Sequence, residues 1–194
     1  PSWAKDRSIG SRMINARLET VAEKPAFKRA FSARRCILPA DGFYEWYAAE
    51  QPAVTVGRGS GKPKKQPFFI HRADGGRLVM AGIYEIWRDP RKDPSDDTAW
   101  LRTCSVITTQ ATDAAGHIHD RMPMVISHGA ISDWLDPTIT DPQLALQLLA
   151  VTEAQALEAY AVSTDVNSVE NNNPSLLEPV TAEPEQHHDQ ETLI

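Results

Sequence analysis

Three short clusters in this chain place an asparagine, a glutamate and a histidine among arginines and aromatic side chains. The clusters are Arg12–Arg17, Asp41–Trp46 and His117–Pro123. An amide, a carboxylate and an imidazole can together orient a substrate, move a proton and stabilise a developing charge. None of the three clusters contains a serine or a cysteine. The pattern therefore predicts most of an active site, without its nucleophile.

Glu45 is the candidate acid or base. Strand alternation would place Phe43 and Glu45 on one face, and Tyr44 and Trp46 on the other. A carboxyl that shares a face with apolar neighbours is a candidate for a raised pKa, which proton transfer near neutral pH requires. The alternative is an edge-strand glutamate that reaches solvent or pairs with an arginine.

The third cluster allows two functional interpretations and one structural interpretation. In a strand, His117 and His119 would share a face and could hold a metal. The sequence offers no C-x-x-C or H-x-x-x-H partner, so we expect no metal and no other cofactor. The second interpretation makes His119 a catalytic acid or hydrogen-bond donor, with Arg121 holding an anion. The structural alternative is a loop histidine that caps backbone groups.

Asn15 and Arg17 are two residues apart, and in an extended segment their side chains would point the same way. An amide and a guanidinium could then bind a phosphate or a carboxylate. The alternative is helix capping beside a surface arginine. Trp3, Phe43 and Trp46, near basic residues, fit base stacking on single-stranded nucleic acid. The other tryptophans, Trp87, Trp100 and Trp134, are expected in the core.

The elements that must position these residues are short strands and helices. Residues 18–34 are predicted to be helical, with a second helix from Pro25. Strands are predicted at Cys36–Ala40, Phe43–Tyr47, Pro67–His71, Leu78–Trp87, Leu101–Thr109, Met124–Ile126 and Ala159–Ser163. Helices follow at His128–Leu135 and Asp141–Ala150, and a flexible loop is expected at Gly57–Gln66. We predict an α+β fold in which a curved, mostly antiparallel sheet forms a barrel or tent flanked by short helices.

Composition places these elements in one domain, residues 1–180, followed by a disordered acidic tail at 181–194. The net charge of −6 hides an asymmetry: residues 1–35 hold nine Lys and Arg, whereas 151–194 hold nine Asp and Glu and no cation. The basic end indicates a surface that faces an anion. Cys36 and Cys104 form no C-x-x-C pair and are predicted to be buried thiols. No membrane span or signal peptide is expected.

The clusters occur together with further short motifs in one order. The motifs are Pro1–Asp6, Arg12–Thr20, Arg35–Trp46, Thr108-Thr109, His119–Pro123 and Val162–Asn167. Together they resemble the SOS-response-associated peptidase (SRAP) family of abasic-site processing proteins. The resemblance extends from Pro1 to about Val180.

The resemblance implies a covalent chemistry. In the family, a cysteine exposed at residue one attacks the ring-opened aldehyde of an abasic site, and its thiol and α-amine close a thiazolidine crosslink. By motif, Asn15 would position that cysteine. Glu45 would be the acid or base for ring opening, reversal and autoproteolytic release of the N-terminus. His119 would polarise the sugar oxygen.

The resemblance also implies a partner, single-stranded DNA that contains abasic sites. Arg17 and Arg121 would bind phosphates, and Trp46 and Thr108 would line the DNA path. The implied protein is a monomer that acts in the DNA-damage response, in the cytoplasm with the nucleoid.

This sequence departs from the family at its beginning. The family's cysteine heads a segment before the Pro1–Asp6 motif, and Cys36 and Cys104 are internal without a free α-amine. We therefore expect a truncated, inactive chain that lacks its nucleophile and the first strands of its sheet. Three alternatives stay open: a peptidase that acts on other proteins, a noncatalytic module for single-stranded DNA, and a zinc site.

Overall fold

A computed structural model describes residues 1–48, 65–150 and 156–180. Over these residues, the strands are β1 Asn15–Arg17, β2 Arg35–Ala40, β3 Gly42–Tyr47, β4 Gln66–Arg72, β5 Leu78–Arg88, β6 Trp100–Gln110, β7 Arg121–Pro123 and β8 Leu157–Ala161. The α-helices are α1 Lys28–Ala33, α2 Asp113–Gly116, α3 Ile131–Leu135 and α4 Pro142–Ala150. The predicted 181–194 tail and residues 57–64 of the predicted loop lie outside the described residues.

The strands form two sheets. The large sheet has the order β1-β6-β5-β2, with β7 also paired to β6, and only the β1–β6 pair is parallel. The small sheet is antiparallel and has the order β3-β4-β8. The α+β class with mostly antiparallel strands is confirmed. The predicted barrel is wrong, because over the described residues the strands form two open sheets.

The chain passes from one sheet to the other within three residues. Ala40 pairs with Leu78 in the large sheet, and Gly42 already pairs with His71 in the small sheet. Gly42 is required at this bend, since a Cβ there would lie 2.3 Å from the ring of Phe69. The bend fixes where β3, with Glu45, stands relative to the large sheet.

Strands β5 and β6 separate beyond the pair Gly82–Val106, and the segment after β7 fills the gap. Met124 N–H donates to Ile107 O at 2.8 Å, and Met124 O accepts from Ala81 N–H at 2.8 Å. The strand predicted at Met124–Ile126 is therefore displaced: the strand proper is Arg121–Pro123, and Val125 makes only an isolated bridge.

Helices cover the large sheet over a core that includes Phe31, Ile107 and Trp134. A smaller core, which includes Ile70 and Leu78, joins the small sheet to the connection that contains α2. Helix α4 begins as predicted: Asp141 Oδ1 accepts from Gln143 N–H at 2.8 Å, and Pro142 occupies the first turn, where its missing N–H costs nothing.

Several local expectations are wrong. The 18–34 region contains a short 3₁₀ turn and α1 rather than two helices. His117 and His119 follow α2 in a loop, as the structural interpretation of this cluster had it, and not in the strand on which the metal interpretation depended. Trp87 and Trp134 are buried as predicted, but Trp100 is 54% exposed. Among the described residues, no helix has the length and apolar character needed to span a membrane.

Candidate active site

A cavity of about 470 Å³ lies where the two sheets meet. Its lining residues come from β1, β3, β5, β6 and β7 and from the loop before β7. They are Asn15, Arg17, Phe43, Tyr44, Glu45, Met80, Val106, Thr108, His119, Arg121, Met122 and Pro123. Six of the seven predicted site residues are in this set, so the fold brings together clusters that are far apart in the sequence.

Strand β1 presents Asn15 and Arg17 to the cavity. It pairs with β6 in the register Asn15–Val106 and Arg17–Thr108, while Ala16 between them is fully buried. The period-two expectation is thus confirmed, since both polar side chains lie on the side away from the core. Neither side chain has a hydrogen-bond partner among the described residues, which leaves the amide and the guanidinium open to a ligand.

Strand β3 contributes Glu45 from the small sheet. Burial raises the pKa of the Glu45 carboxyl, and the nearby His119 opposes that shift because its charged form favours the carboxylate. Phe43 lines the same cavity, as alternation predicts, and gives the carboxyl an apolar neighbour. A half-buried carboxyl with a raised pKa beside an imidazole is an arrangement suited to proton transfer.

His119 lies in the connection between β6 and β7. Gln110 pairs with Arg121, so the ten residues between them form a loop whose two ends lie side by side. Within this loop, Ala111 N–H donates to Asp120 O at 2.9 Å. Within it, His119 N–H donates to Ala115 O at 3.0 Å. The backbone of this connection is therefore fixed at both ends.

The two ring nitrogens of His119 differ. Nδ1 accepts from Arg121 N–H at 3.1 Å when the ring is neutral, and it lies 3.1 Å from Asp120 Oδ1, which it can face when protonated. Nε2 has no hydrogen-bond partner among the described residues. The Arg121 N–H favours a neutral ring with its proton on Nε2, whereas Arg121 O, 3.4 Å from Nδ1, and Asp120 Oδ1 are acceptors that favour a proton on Nδ1. In the first of these tautomers, Nε2–H is the donor available for chemistry.

The guanidinium of Arg121 already donates hydrogen bonds to protein groups. Its Nη1 and Nη2 donate to Glu19 Oε1 and Oε2 at 2.6 and 3.0 Å, and Nη2 also donates to Thr108 O at 2.6 Å. Its Nε is buried and has no hydrogen-bond partner among the described residues. Phosphate binding by Arg121 stays a prediction, and it would require Glu19 to share or release the guanidinium.

Trp46 is the predicted site residue that does not line the cavity. It alternates with Glu45 along β3, and its Nε1–H donates to Asn167 Oδ1 at 2.7 Å. Its neighbour Tyr44 donates through its hydroxyl to Leu176 O at 3.3 Å. Residues 163–180 thus pack beside β3, and a role for Trp46 in DNA contact stays a prediction.

Neither cysteine lines this cavity. Cys104 is exposed, contrary to expectation, and lines a separate cavity together with Pro1. Cys36 is half-buried, and burial, with a smaller effect from Cys104, raises the pKa of its thiol to about 11. The thiol of Cys36 is therefore neutral at physiological pH, and only a thiolate is a strong nucleophile.

Sequence reasoning missed Glu19 as a member of the site. Its partner Arg121 is 102 residues away, so no local spacing could have linked the two. For metals, the described residues contain no group of three or more His, Cys, Asp or Glu side chains that could hold an ion.

Comparison with known proteins gives one consistent result. A family model described as SOS response associated peptidase (SRAP) matches residues 1–169. The abasic site processing protein YoqW of Bacillus subtilis is 41% identical over 179 residues, which cover 92% of this chain and 72% of that protein. The abasic site processing protein HMCES of Gallus gallus is 32% identical over 203 residues, covering 93% and 55%.

Solved structures with a similar fold are also known. A crystal structure of a protein from Bacteroides thetaiotaomicron superposes with a TM-score of 0.70 at 25% identity, covering 93% of this chain and 73% of that chain. A phage-related protein from Bordetella bronchiseptica gives a TM-score of 0.57 at 30% identity, covering 77% of this chain and 63% of that chain.

Proposed function

Because the chain belongs to the SOS response associated peptidase (SRAP) family, we propose that it processes abasic sites in single-stranded DNA at the cavity between its two sheets. The observation that carries the proposal is the convergence of Asn15, Arg17, Glu45 and His119 on that cavity. The relatives that match nearly all of this chain are named abasic site processing proteins.

The proposed reaction is the capture of an aldehyde. A ring-opened abasic site presents an aldehyde at C1′ of the sugar. The α-amine of an N-terminal cysteine adds to this carbon, and loss of water leaves an imine. The thiol then adds to the imine carbon and its proton passes to the nitrogen, which closes a thiazolidine. The product is a covalent link between protein and DNA.

Three polar residues of the cavity have a step in this scheme. Glu45 takes a proton from the cysteine's ammonium group, which frees the amine to attack, and later returns one to the departing hydroxyl, as its raised pKa suits. His119 donates from Nε2 to the sugar oxygen when the ring opens. Asn15 orients the cysteine through its amide. The same Glu45 would activate a water to release residues that precede the cysteine.

The nucleophile must be an N-terminal cysteine, because only there does one residue offer both a thiol and a primary α-amine. Position 1 of this sequence is Pro1, and Cys36 and Cys104 are internal. No cysteine or serine lines the cavity within the described part of the chain. Cys36 and Cys104 therefore cannot supply the nucleophile of the proposed reaction.

Arg17 is assigned the first phosphate contact. It is exposed at the cavity and has no hydrogen-bond partner among the described residues, so its planar fork of donors is available. Next to it, a second cavity of about 430 Å³ shares Arg17 and Arg121 with the first. Because the two cavities share these arginines, we propose that the DNA strand runs from one cavity to the other on either side of the lesion, past Thr108 in the first.

The test uses the protein encoded by the complete reading frame that contains residues 1–194. It is incubated with labelled single-stranded DNA bearing one abasic site, and the products are separated on a denaturing gel. We expect a heat-stable shifted species whose formation slows by about 10²–10⁴-fold in Glu45→Gln. Glu23→Gln, an exposed change of equal charge, should leave the rate unchanged.

Two other classes predict different gels. A peptidase that acts on other proteins would give no shifted species, and would cleave a denatured protein substrate without DNA. A noncatalytic module would retain full DNA binding in Glu45→Gln and His119→Ala. It would lose that binding only in Arg17→Ala. Either outcome contradicts the crosslinking proposal.

A further inference from the structure

Glu19 and Arg121 form a fork-to-fork ion pair at the edge of the cavity. The two carboxylate oxygens lie 2.6 and 3.0 Å from Nη1 and Nη2, and the side chain of Arg121 is only 20% exposed. Two parallel charge-assisted hydrogen bonds fix direction as well as distance. Nη2 also donates to Thr108 O on β6 at 2.6 Å, so the guanidinium is held from two sides.

The pair is connected to His119 through the backbone of Arg121. The Arg121 N–H donates to His119 Nδ1 at 3.1 Å, and this bond favours the tautomer with its proton on Nε2 over the one that would donate from Nδ1 to Arg121 O at 3.4 Å or to Asp120 Oδ1. Glu19 follows β1 in a 3₁₀ turn of three residues, Leu18–Thr20. The Glu19 carboxylate, which lines the second cavity, is therefore linked through a single residue to the imidazole that lines the first.

We propose that Glu19 is a positioning residue for His119: it holds Arg121 so that the Arg121 N–H stays on Nδ1 and the imidazole proton stays on Nε2. The proposal rests on the proposed function only for what His119 then does with that proton. Glu19 itself need not touch the substrate.

The lowered pKa of the Glu19 carboxyl keeps the Glu19–Arg121 ion pair formed at neutral pH. The hydrogen bonds from Arg121 are the largest cause of the lowered pKa of Glu19, with smaller help from the charge of Arg17. A lowered carboxyl pKa contributes stability above the unfolded-state value, and that stability is lost only as the pH falls through the folded-state value. The ion pair therefore persists at neutral pH.

Two carboxylates near His119 act against a ring proton on Nε2, which is why the ring needs a positioning residue. Asp120 Oδ1 lies 3.1 Å from Nδ1, and Glu45 is close enough for the two charges to interact. Either carboxylate would attract an N–H of the ring and could draw the proton to Nδ1 or add a second one. The Arg121 N–H, a donor, opposes a proton on Nδ1, because two donors cannot share one hydrogen bond.

The test reads the ring directly and needs no DNA. The histidine nitrogens of the 194-residue chain are observed by long-range ¹H–¹⁵N NMR above pH 8, with His119 assigned from the signals lost in His119→Gln. We expect a single Nε2–H tautomer in the unaltered protein. In Glu19→Gln the His119 signals should shift towards an average of the two tautomers. Glu23→Gln is the control and should leave them unchanged.

Arg121→Lys gives a second measurement, since it keeps the charge and the backbone N–H but cannot form the fork with Glu19. It should shift the His119 signals in the same direction as Glu19→Gln. Amide spectra verify that each variant is folded. Unchanged His119 signals in both folded variants would overturn the proposal, whether or not the complete protein crosslinks DNA.

Discussion

At the residue scale, the environment of Glu45 joins stability to function. Its carboxyl is half-buried on β3 between apolar neighbours, and burial raises its pKa. A raised carboxyl pKa favours the fold below the unfolded-state value, and this contribution is lost as the pH rises through the folded-state value. The ionised form of the carboxyl is therefore destabilising at the candidate active site.

Glu45→Gln should raise the melting temperature at pH 7 to 8, because the amide has no charge to desolvate. The difference from the unaltered protein should shrink as the pH falls from the raised folded-state pKa towards the ordinary glutamate pKa of about 4.3. Thermal unfolding followed by circular dichroism over this pH range measures it. Glu23→Gln, at an exposed site, should show no such pH-dependent gain, and a lower melting temperature for Glu45→Gln at pH 8 would contradict the prediction.

Arg17→Ala should weaken binding to single-stranded DNA through the loss of one phosphate contact. Each contact to a single strand contributes about 0.7 to the slope of log affinity against log salt concentration. We expect the slope to fall by about that amount, with little dependence on base sequence. Fluorescence anisotropy at several salt concentrations provides the measurement. Arg29→Ala removes an equal charge from α1, outside the cavity, and an equal change in its slope would argue against a specific role for Arg17.

At the element scale, the bend between β2 and β3 sets the distance between the two halves of the site. A methyl group on Gly42 would lie 2.3 Å from Phe69 Cζ and 2.5 Å from Ile70 O, so the backbone of β3 or β4 would have to move. We expect Gly42→Ala to lower the free energy of unfolding by about 1–3 kcal/mol. Urea unfolding measures this loss.

Gly10→Ala is the control for Gly42→Ala, since no atom lies within 4 Å of a Cβ at Gly10. Its effect should stay within about 0.5 kcal/mol, as for ordinary surface changes. Equal losses in the two variants would mean that the bend tolerates a side chain. Since β3 carries Glu45, a displaced β3 should also slow the proposed crosslinking.

The elements also explain what sequence could and could not predict. Short apolar and aromatic runs between Gly, Asp and Pro located β2 to β6, and alternation placed Asn15 with Arg17, because both patterns are local properties. The change of sheet at Asp41 and the gap between β5 and β6 depend on long-range packing, so the sequence predicted one curved sheet in the form of a barrel or tent. The sequence allowed a strand or a loop at His119, and the long-range pairing of Gln110 with Arg121 makes it part of a loop.

At the scale of the whole molecule, Arg35 connects the helical layer to the large sheet. It is buried, at 8% exposure, and desolvation lowers the pKa of its guanidinium. It donates to five backbone oxygens: those of Phe31, Ser32, Trp134, Asp136 and Ile139. Most of these oxygens lie at the ends of α1 and α3, where carbonyls have no partner within the helix.

Arg35→Met should therefore destabilise the whole domain rather than one element. It fills much of the same volume but leaves the helix-end carbonyls without donors, and each buried acceptor left unsatisfied costs about 1–3 kcal/mol. Arg34→Met is the matched control, because Arg34 is more exposed and pairs with Glu85 at 2.9 Å, a contact worth about 1 kcal/mol or less. Urea unfolding followed by both tryptophan fluorescence and circular dichroism should give one coincident, shifted transition for Arg35→Met. Separate transitions for the two probes would mean that the helices and the sheet unfold independently, and that Arg35 stabilises only its own neighbourhood.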